Sequence, residues 1–153
     1  MEAIQPAVAE ITIVYVNRQK AKERQQINSS ADAHQYFLRG FNADTIAVQE
    51  EFMAIYLNRA NQVLGLYKVG RGGMTGTVAD PRLMIAVALK IAAVGIIVAH
   101  NHPSGSMRPS RHDEELTNKL KEGARFMDIK LLDHLILAPD GEQFFSFADE
   151  GLL

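Results

Sequence analysis

The chain of 153 residues contains no cysteine. That excludes a disulfide framework, a thiolate nucleophile and any thiolate metal site, so a metal ion here could be held only by histidine and carboxylate. Strong charge of either sign is also missing. Sixteen basic residues face 18 acidic ones, for a net charge of −2 and a pI near 6.2. No global field is available to hold a polyanion, and no patch interleaves aromatic with basic residues. Arg18, Lys20, Lys22 and Arg24 form a short basic stretch that reads as a solvated loop. Nucleic-acid binding is therefore expected to be weak and salt-labile at most. The longest apolar run, Leu83 to Ala99, is interrupted by Lys90 and falls short of the ~20 residues of a membrane span. The first residues lack the basic-then-apolar profile of a signal peptide, so a soluble cytoplasmic protein is expected. Glycines cluster at Gly70, Gly72, Gly73 and Gly76, but neither a GxGxxG nor the Lys-Ser/Thr ending of a phosphate loop accompanies them. A flexible surface loop is the expectation there. There is no internal repeat and no low-complexity tract.

What is present suits a single domain with a real core: 47% of residues are hydrophobic and 22% charged. Glu10–Asn17 alternates and is rich in Ile, Val and Tyr, which predicts a strand. Ser30–Phe41 carries Ala33, Tyr36, Phe37 and Phe41 on one stripe, which predicts a helix capped by Ser30, with His34 on its polar, outer side. Strands are predicted at Glu50–Leu57 and Gln62–Val69, joined as a hairpin by the turn Asn58–Asn61. Asp80-Pro81 is a helix start, with Asp as cap and Pro at the first helical position. The residues that follow, Leu83–Ala93, are apolar almost all round, so this helix should lie buried at the centre. Strand Gly95–His100 comes next, then a helix from Arg111 to Lys121 stopped by Gly123. A strand at Ile129–Leu137 follows, with Gln143–Phe145 pairing back across Pro139-Asp140-Gly141. The order β-α-β-β-α-β-α-β-β predicts an α/β layered domain with a mixed sheet.

The most informative segment lies where the strand ending at His100 meets the helix beginning at Arg111. His100 and His102 stand at i and i+2, so at a strand end they point to one face while Asn101 points to the other. Two imidazoles on one face can share a metal ion, and a carboxylate from the next element would complete three ligands. That number leaves a position open for water, as in catalytic rather than structural zinc sites. Ser110 and Asp113 also form Ser-x-x-Asp, a helix cap followed by an acid at the third helical position, which on its own is purely structural. The two readings are compatible: a capped first turn would hold Asp113 rigidly toward a metal while Ser110 faces the water. His112 has the wrong helical phase to join Asp113 and reads as a surface residue. Asp133 and His134 face opposite sides of their strand. His134, on the face of Leu132 and Ile136, reads as a satisfied core histidine, with support of a metal ligand as the lesser alternative.

His-x-His, seven residues, Ser, two residues, Asp resembles the zinc-binding motif of the JAMM metalloproteases, which are built on the MPN (Jab-type) domain. The spelling His100-Asn101-His102-Pro103-Ser104-Gly105, with Pro109-Ser110 before the aspartate, resembles the RadC-like branch. The likeness runs from about Gln49 to Leu153. It includes Glu50-x-Phe52, Leu131-Leu132-Asp133-His134 and Ser146-Phe147-Ala148-x-x-Gly151-Leu152. The resemblance implies a cytidine-deaminase-like α-β-α sandwich, with zinc held by His100, His102 and Asp113. It also implies a glutamate, Glu50, that activates water and a serine, Ser110, that polarises the substrate carbonyl. Strand phase lets only one of Glu50 and Glu51 face inward, and the Glu-x-Phe match selects Glu50. Two features depart from the family pattern. Asn101 stands where deubiquitinating members carry Ser or Thr, and 153 residues leave no room for the N-terminal helix-hairpin-helix module of full-length RadC-like proteins.

The leading expectation is a zinc-dependent hydrolase of peptide or isopeptide bonds acting on a protein or peptide. Alternatives are a nucleic-acid-binding module associated with DNA repair, and a protein-interaction scaffold of the same fold. The amidohydrolase barrel also uses His-x-His, but that fold needs ~200 residues or more.

Overall fold

In the computed structural model, which describes residues 9–12, 14–72 and 79–153, a five-stranded mixed sheet is covered by helices on both faces. The strands are β1 (Glu51–Leu57), β2 (Val63–Arg71), β3 (Gly95–Asn101), β4 (Lys130–Leu137) and β5 (Phe144–Ser146), in the order β2-β1-β3-β4-β5. Only the β3–β4 pair is parallel; β1–β2, β1–β3 and β4–β5 are antiparallel. The helices are α1 (Ser30–Leu38), α2 (Pro81–Lys90) and α3 (Arg111–Phe126). This is the mixed α/β architecture expected for a Jab-type domain.

Coverage of both faces explains the sequence of the central strands. Every residue of β1 and β3 is buried, so they read as apolar runs rather than as alternating ones. Met53, Ile55, Ile97, Ala99, Leu135 and Leu137 pack with Ala33 and Phe37 of α1 on one side. Phe52, Ala54, Tyr56, Ile96 and Val98 pack with Met84 and Ala88 of α2 and Leu120 and Ala124 of α3 on the other. Helix α3 is the crossover between parallel β3 and β4. Its first turn therefore sits at the carboxyl end of β3, where open α/β sheets place their ligands.

Several expectations change in the structure. No strand forms among the described residues of 10–17; instead the Tyr15 hydroxyl donates to the Leu64 carbonyl (2.6 Å) beside β2. The cap of α1 is Ser29, whose side chain accepts from the Asp32 N–H, and the helix ends at Leu38. His34 is buried rather than outward, stacked on Phe144 with ring centroids 4.4 Å apart. Burial lowers its pKa. Helix α2 starts as predicted, with Asp80 accepting from Arg82 N–H and Pro81 at its head. It is not central, however: Met84 and Ala88 are buried while Leu83 and Leu89 are about half exposed, at 48% and 50%. Strand β2 continues to Arg71, absorbing Gly70 into the sheet; the rest of the glycine cluster, from residue 73, lies outside the described residues. Helix α3 runs straight through Gly123. There a Cβ would lie 3.0 Å from Ile85 Cδ1, so the missing side chain serves the close approach of α2 and α3. The chain leaves the helix at Met127, and Asp128 then takes a left-handed conformation (φ 57°).

Candidate metal centre

Pairing of Phe52 with His100 across β1 and β3 puts both rings on the α3 side of the sheet, stacked with centroids 5.6 Å apart. Past the end of β3, His102 remains tied to the sheet through its N–H, which donates to the Leu137 carbonyl (3.0 Å). The first turn of α3 brings Asp113 to the same place. Ser110 Oγ accepts from the Asp113 N–H (3.0 Å) and Asp113 Oδ2 accepts from the Ser110 N–H (2.8 Å), a reciprocal capping box. The same carboxylate meets His100 Nε2 through Oδ1 and His102 Nε2 through Oδ2, each at 3.3 Å, and the two Nε2 atoms are 3.0 Å apart.

The donor set fits a metal ion. Ligand atoms 2.0–2.1 Å from a tetrahedral centre would lie ~3.3 Å from one another, close to the separations seen. His102 Nδ1 is 2.8 Å from the Ser106 carbonyl, which can only accept, so Nδ1 carries the hydrogen and Nε2 offers a lone pair inward. Such lone pairs facing each other need a cation between them. His100, His102 and Asp113 thus form a group that could hold a metal ion, with only His102 partly open to solvent. Without metal, a proton serves. The hydrogen bond to Asp113 raises the His102 pKa, against the opposing effect of burial; the Ser106 carbonyl and the charges of Asp113 and Glu50 add to the rise. Burial disfavours the ionised Asp113, but its close contacts with His100 and His102 and the bond from the Ser110 N–H hold its carboxyl far below the usual carboxylate range.

Glu50 immediately precedes β1, on the Phe52 and His100 side by strand phase, and its charge is felt at His102. Its carbonyl accepts from the Gly72 N–H (2.8 Å). Glu51 occupies the other phase and is buried against Arg71 (3.2 Å) and Lys68 (3.5 Å). Asn101, pointing away from the two histidines, is completely buried. Its Nδ2 donates to the carbonyls of Ile46 (2.7 Å) and Gln49 (2.8 Å), and its Oδ1 accepts from the Glu51 N–H (2.7 Å). Ser110 is exposed, with its hydroxyl hydrogen not consumed by the cap. His112 is exposed on α3.

Two further residues stand behind the ligands: His134, expected as a satisfied core histidine with support of a metal ligand as the lesser alternative, and Thr117, which the sequence reading did not single out. His134 is fully buried with Nε2 2.8 Å from His100 Nδ1, and Thr117 Oγ1 is 2.6 Å from His134 Nδ1. Burial pushes the His134 pKa well below its ordinary value. The expected face was only half correct. Residues Ile96 and Ile97 pair with Leu131 and Asp133, so Leu132 is a bulge and packs on the α1 side, while His134 lies with His100. The i, i+4 spacing of Asp113 and Thr117 on one helix face was the available signal for the second residue.

Comparison with known proteins agrees with this geometry. Residues 27–152 match the model of the RadC-like JAB domain. The chain belongs to the RadC-like JAB domain family. Over 103 residues it is 41% identical to a UPF0758 protein of Flavobacterium johnsoniae, covering 67% of this chain and 44% of the relative. It is 41% identical over 105 residues to UPF0758 protein YfjY of Escherichia coli K12, covering 69% and 64%. A UPF0758 protein of Streptococcus sanguinis is 37% identical over 136 residues, covering 88% and 57%. The chain thus spans about half the length of these relatives. Two further segments of the resemblance, around Asp133 and around Ser146–Ala148, meet in space: Asp133 accepts from Ser146 Oγ (2.6 Å) and the Ala148 N–H (3.0 Å).

Proposed function

We propose that the protein is a zinc-dependent hydrolase of peptide or isopeptide bonds, with a protein or peptide as substrate. The observation that carries this reading is the convergence of His100 Nε2, His102 Nε2 and an Asp113 carboxylate beside an acid, Glu50, that is not itself one of the ligands. A hard-to-reduce ion with histidine and carboxylate ligands is the choice that suits zinc, and when bound it would supply Lewis-acid activation of a water and of the scissile carbonyl. The chain's own residues would do the rest. Glu50 takes the proton of the attacking water and passes it to the leaving nitrogen, so one carboxylate acts first as base and then as acid. The Ser110 hydroxyl donates to the carbonyl oxygen as negative charge develops there, an interaction worth ~10²–10³ in rate where such a donor is removed. The Jab-type resemblance points the same way.

The test pairs metal analysis with a hydrolysis screen of peptide and isopeptide substrates. Wild type should retain about one zinc per chain and cleave. Glu50→Gln should keep the metal and lose ~10²–10⁴ of the rate, the usual span for a general base. The His100→Ala/His102→Ala double variant should lose both. Undiminished cleavage by Glu50→Gln, or stoichiometric zinc in the double variant, refutes the reading.

A further inference from the structure

His134 and Thr117 lie behind the site, and the proposed chemistry does not use them. Their hydrogens can nevertheless be counted. Thr117 Oγ1 is 2.6 Å from the Asp113 carbonyl and 2.6 Å from His134 Nδ1. A hydroxyl has one hydrogen and a carbonyl has none. If the hydroxyl gave its hydrogen to His134, two bare oxygens would be left facing each other at 2.6 Å. The hydroxyl hydrogen therefore goes to the Asp113 carbonyl, and His134 Nδ1–H donates to Thr117 Oγ1. A neutral imidazole carries one hydrogen, so His134 Nε2 is bare. It lies 2.8 Å from His100 Nδ1, which must then carry a hydrogen and donate it. Nothing remains on His100 Nε2, the atom 3.0 Å from His102 Nε2 and 3.3 Å from Asp113 Oδ1.

We propose that Thr117 and His134 are positioning residues that set the tautomer of His100, so that its Nε2 lone pair is presented to the metal. The chain of hydrogens starts at the carbonyl of Asp113 and ends on a ligand that Asp113 touches, so one helix turn fixes two ligands at once. Stacking holds the relay in plane. The His134 ring lies parallel to Phe147 at 4.6 Å (interplanar angle 9°) and meets Phe52 edge-on at 5.5 Å. A buried imidazole in this role replaces the carboxylate or carbonyl that more often accepts from a metal-bound histidine. It has the property that its own acceptor nitrogen exists only while Thr117 keeps the other nitrogen protonated. The inference rests on the metal-site reading above, but the tautomers can be read without any metal.

The experiment uses nitrogen-15 NMR of the histidine rings in the metal-free protein, followed by zinc affinity in competition with a chelator. In wild type, His100 and His134 should both carry hydrogen on Nδ1. Thr117→Val keeps the shape but removes the acceptor. His134 should shift toward its Nε2–H form, His100 should follow, and zinc affinity should fall ~10–100-fold, the range for lost outer partners of metal ligands. Thr117→Ser should restore both readouts. In His134→Gln the amide carbonyl can accept from His100 Nδ1 whatever stands at 117, so adding Thr117→Val to it should no longer move the His100 tautomer, and a shift there would count against the relay. His100 protonated on Nε2 in wild type would overturn the proposal. So would unchanged tautomer and affinity in Thr117→Val, or failure of Thr117→Ser to rescue. Wild-type protein with no zinc affinity but the stated tautomers would sink the metal reading and leave the relay standing.

Discussion

At the scale of single residues, Asn101 makes the bonds on which the placement of Glu50 depends. Both hydrogens of its amide and its oxygen are used on backbone groups of residues 46, 49 and 51, in a fully buried position. The chain just before β1 is thereby tied to the end of the strand that carries His100 and leads into His102, and Glu50 lies within the tied segment. Serine has one hydroxyl hydrogen and a shorter reach, so Asn101→Ser would leave at least one of these carbonyls or the Glu51 N–H without a partner. A buried group left unpaired costs ~1–3 kcal/mol. Urea denaturation should show a loss of that size, and turnover should drop at undiminished zinc content because Glu50 is displaced. A variant as stable and active as wild type would show that the clamp is dispensable. The family likeness flagged Asn101 as unusual, but the residue type could not disclose its partners, which are 50 to 55 positions away in the chain.

Among the elements, the first turn of α3 has two duties that ordinarily belong to different residues. Ser110 satisfies the orphaned N–H of Asp113, while Asp113 both returns the favour to Ser110 and faces the histidines. Ser110→Ala should cost about 0.5–2 kcal/mol as a lost cap and should also slow hydrolysis with metal retained. Ser110→Asp separates the duties: it can still cap, but it sets a negative charge where the carbonyl oxygen becomes negative. Full activity in Ser110→Asp would refute the oxyanion role. This turn was readable in the sequence because its signals are local, as were the start of α2 and the β1–β2 hairpin. The misread elements depended on tertiary facts. Residues 10–17 have strand composition, but the described ones make no ladder. An apolar helix proved half exposed because α2 packs through only one narrow face. One extra residue at Leu132 shifts the strand phase, so His134 is buried and satisfied as expected but does not share a face with Leu132.

For the molecule as a whole, the site couples folding to pH in opposite directions with and without metal. In metal-free protein the raised pKa of His102 contributes stability that is fully present below its unfolded value near ~6.5 and is lost as pH rises through the folded value. The depressed pKa of Asp113 contributes stability that is present above ~3.9 and lost as pH falls toward the folded value. Their combined contribution to stability is therefore full only between about pH 4 and pH 6.5. His34 and His134 work the other way: buried neutral, they disfavour folding once the unfolded chain begins to protonate below ~6.5. The pair is isolated by comparison of metal-free wild type with Asp113→Asn, since the buried histidines are common to both. The gap in Tm between them should be largest near pH 5–6 and shrink as His102 deprotonates at higher pH. Zinc should reverse the trend. Its ligands must shed protons to bind, so the rise in wild-type Tm on adding zinc should grow from about pH 5.5 to pH 8. A wild-type to Asp113→Asn gap that stays constant across this range would mean that the carboxylate does not pair with a protonated His102. A zinc-induced rise independent of pH would mean that the ion binds elsewhere than on these imidazoles.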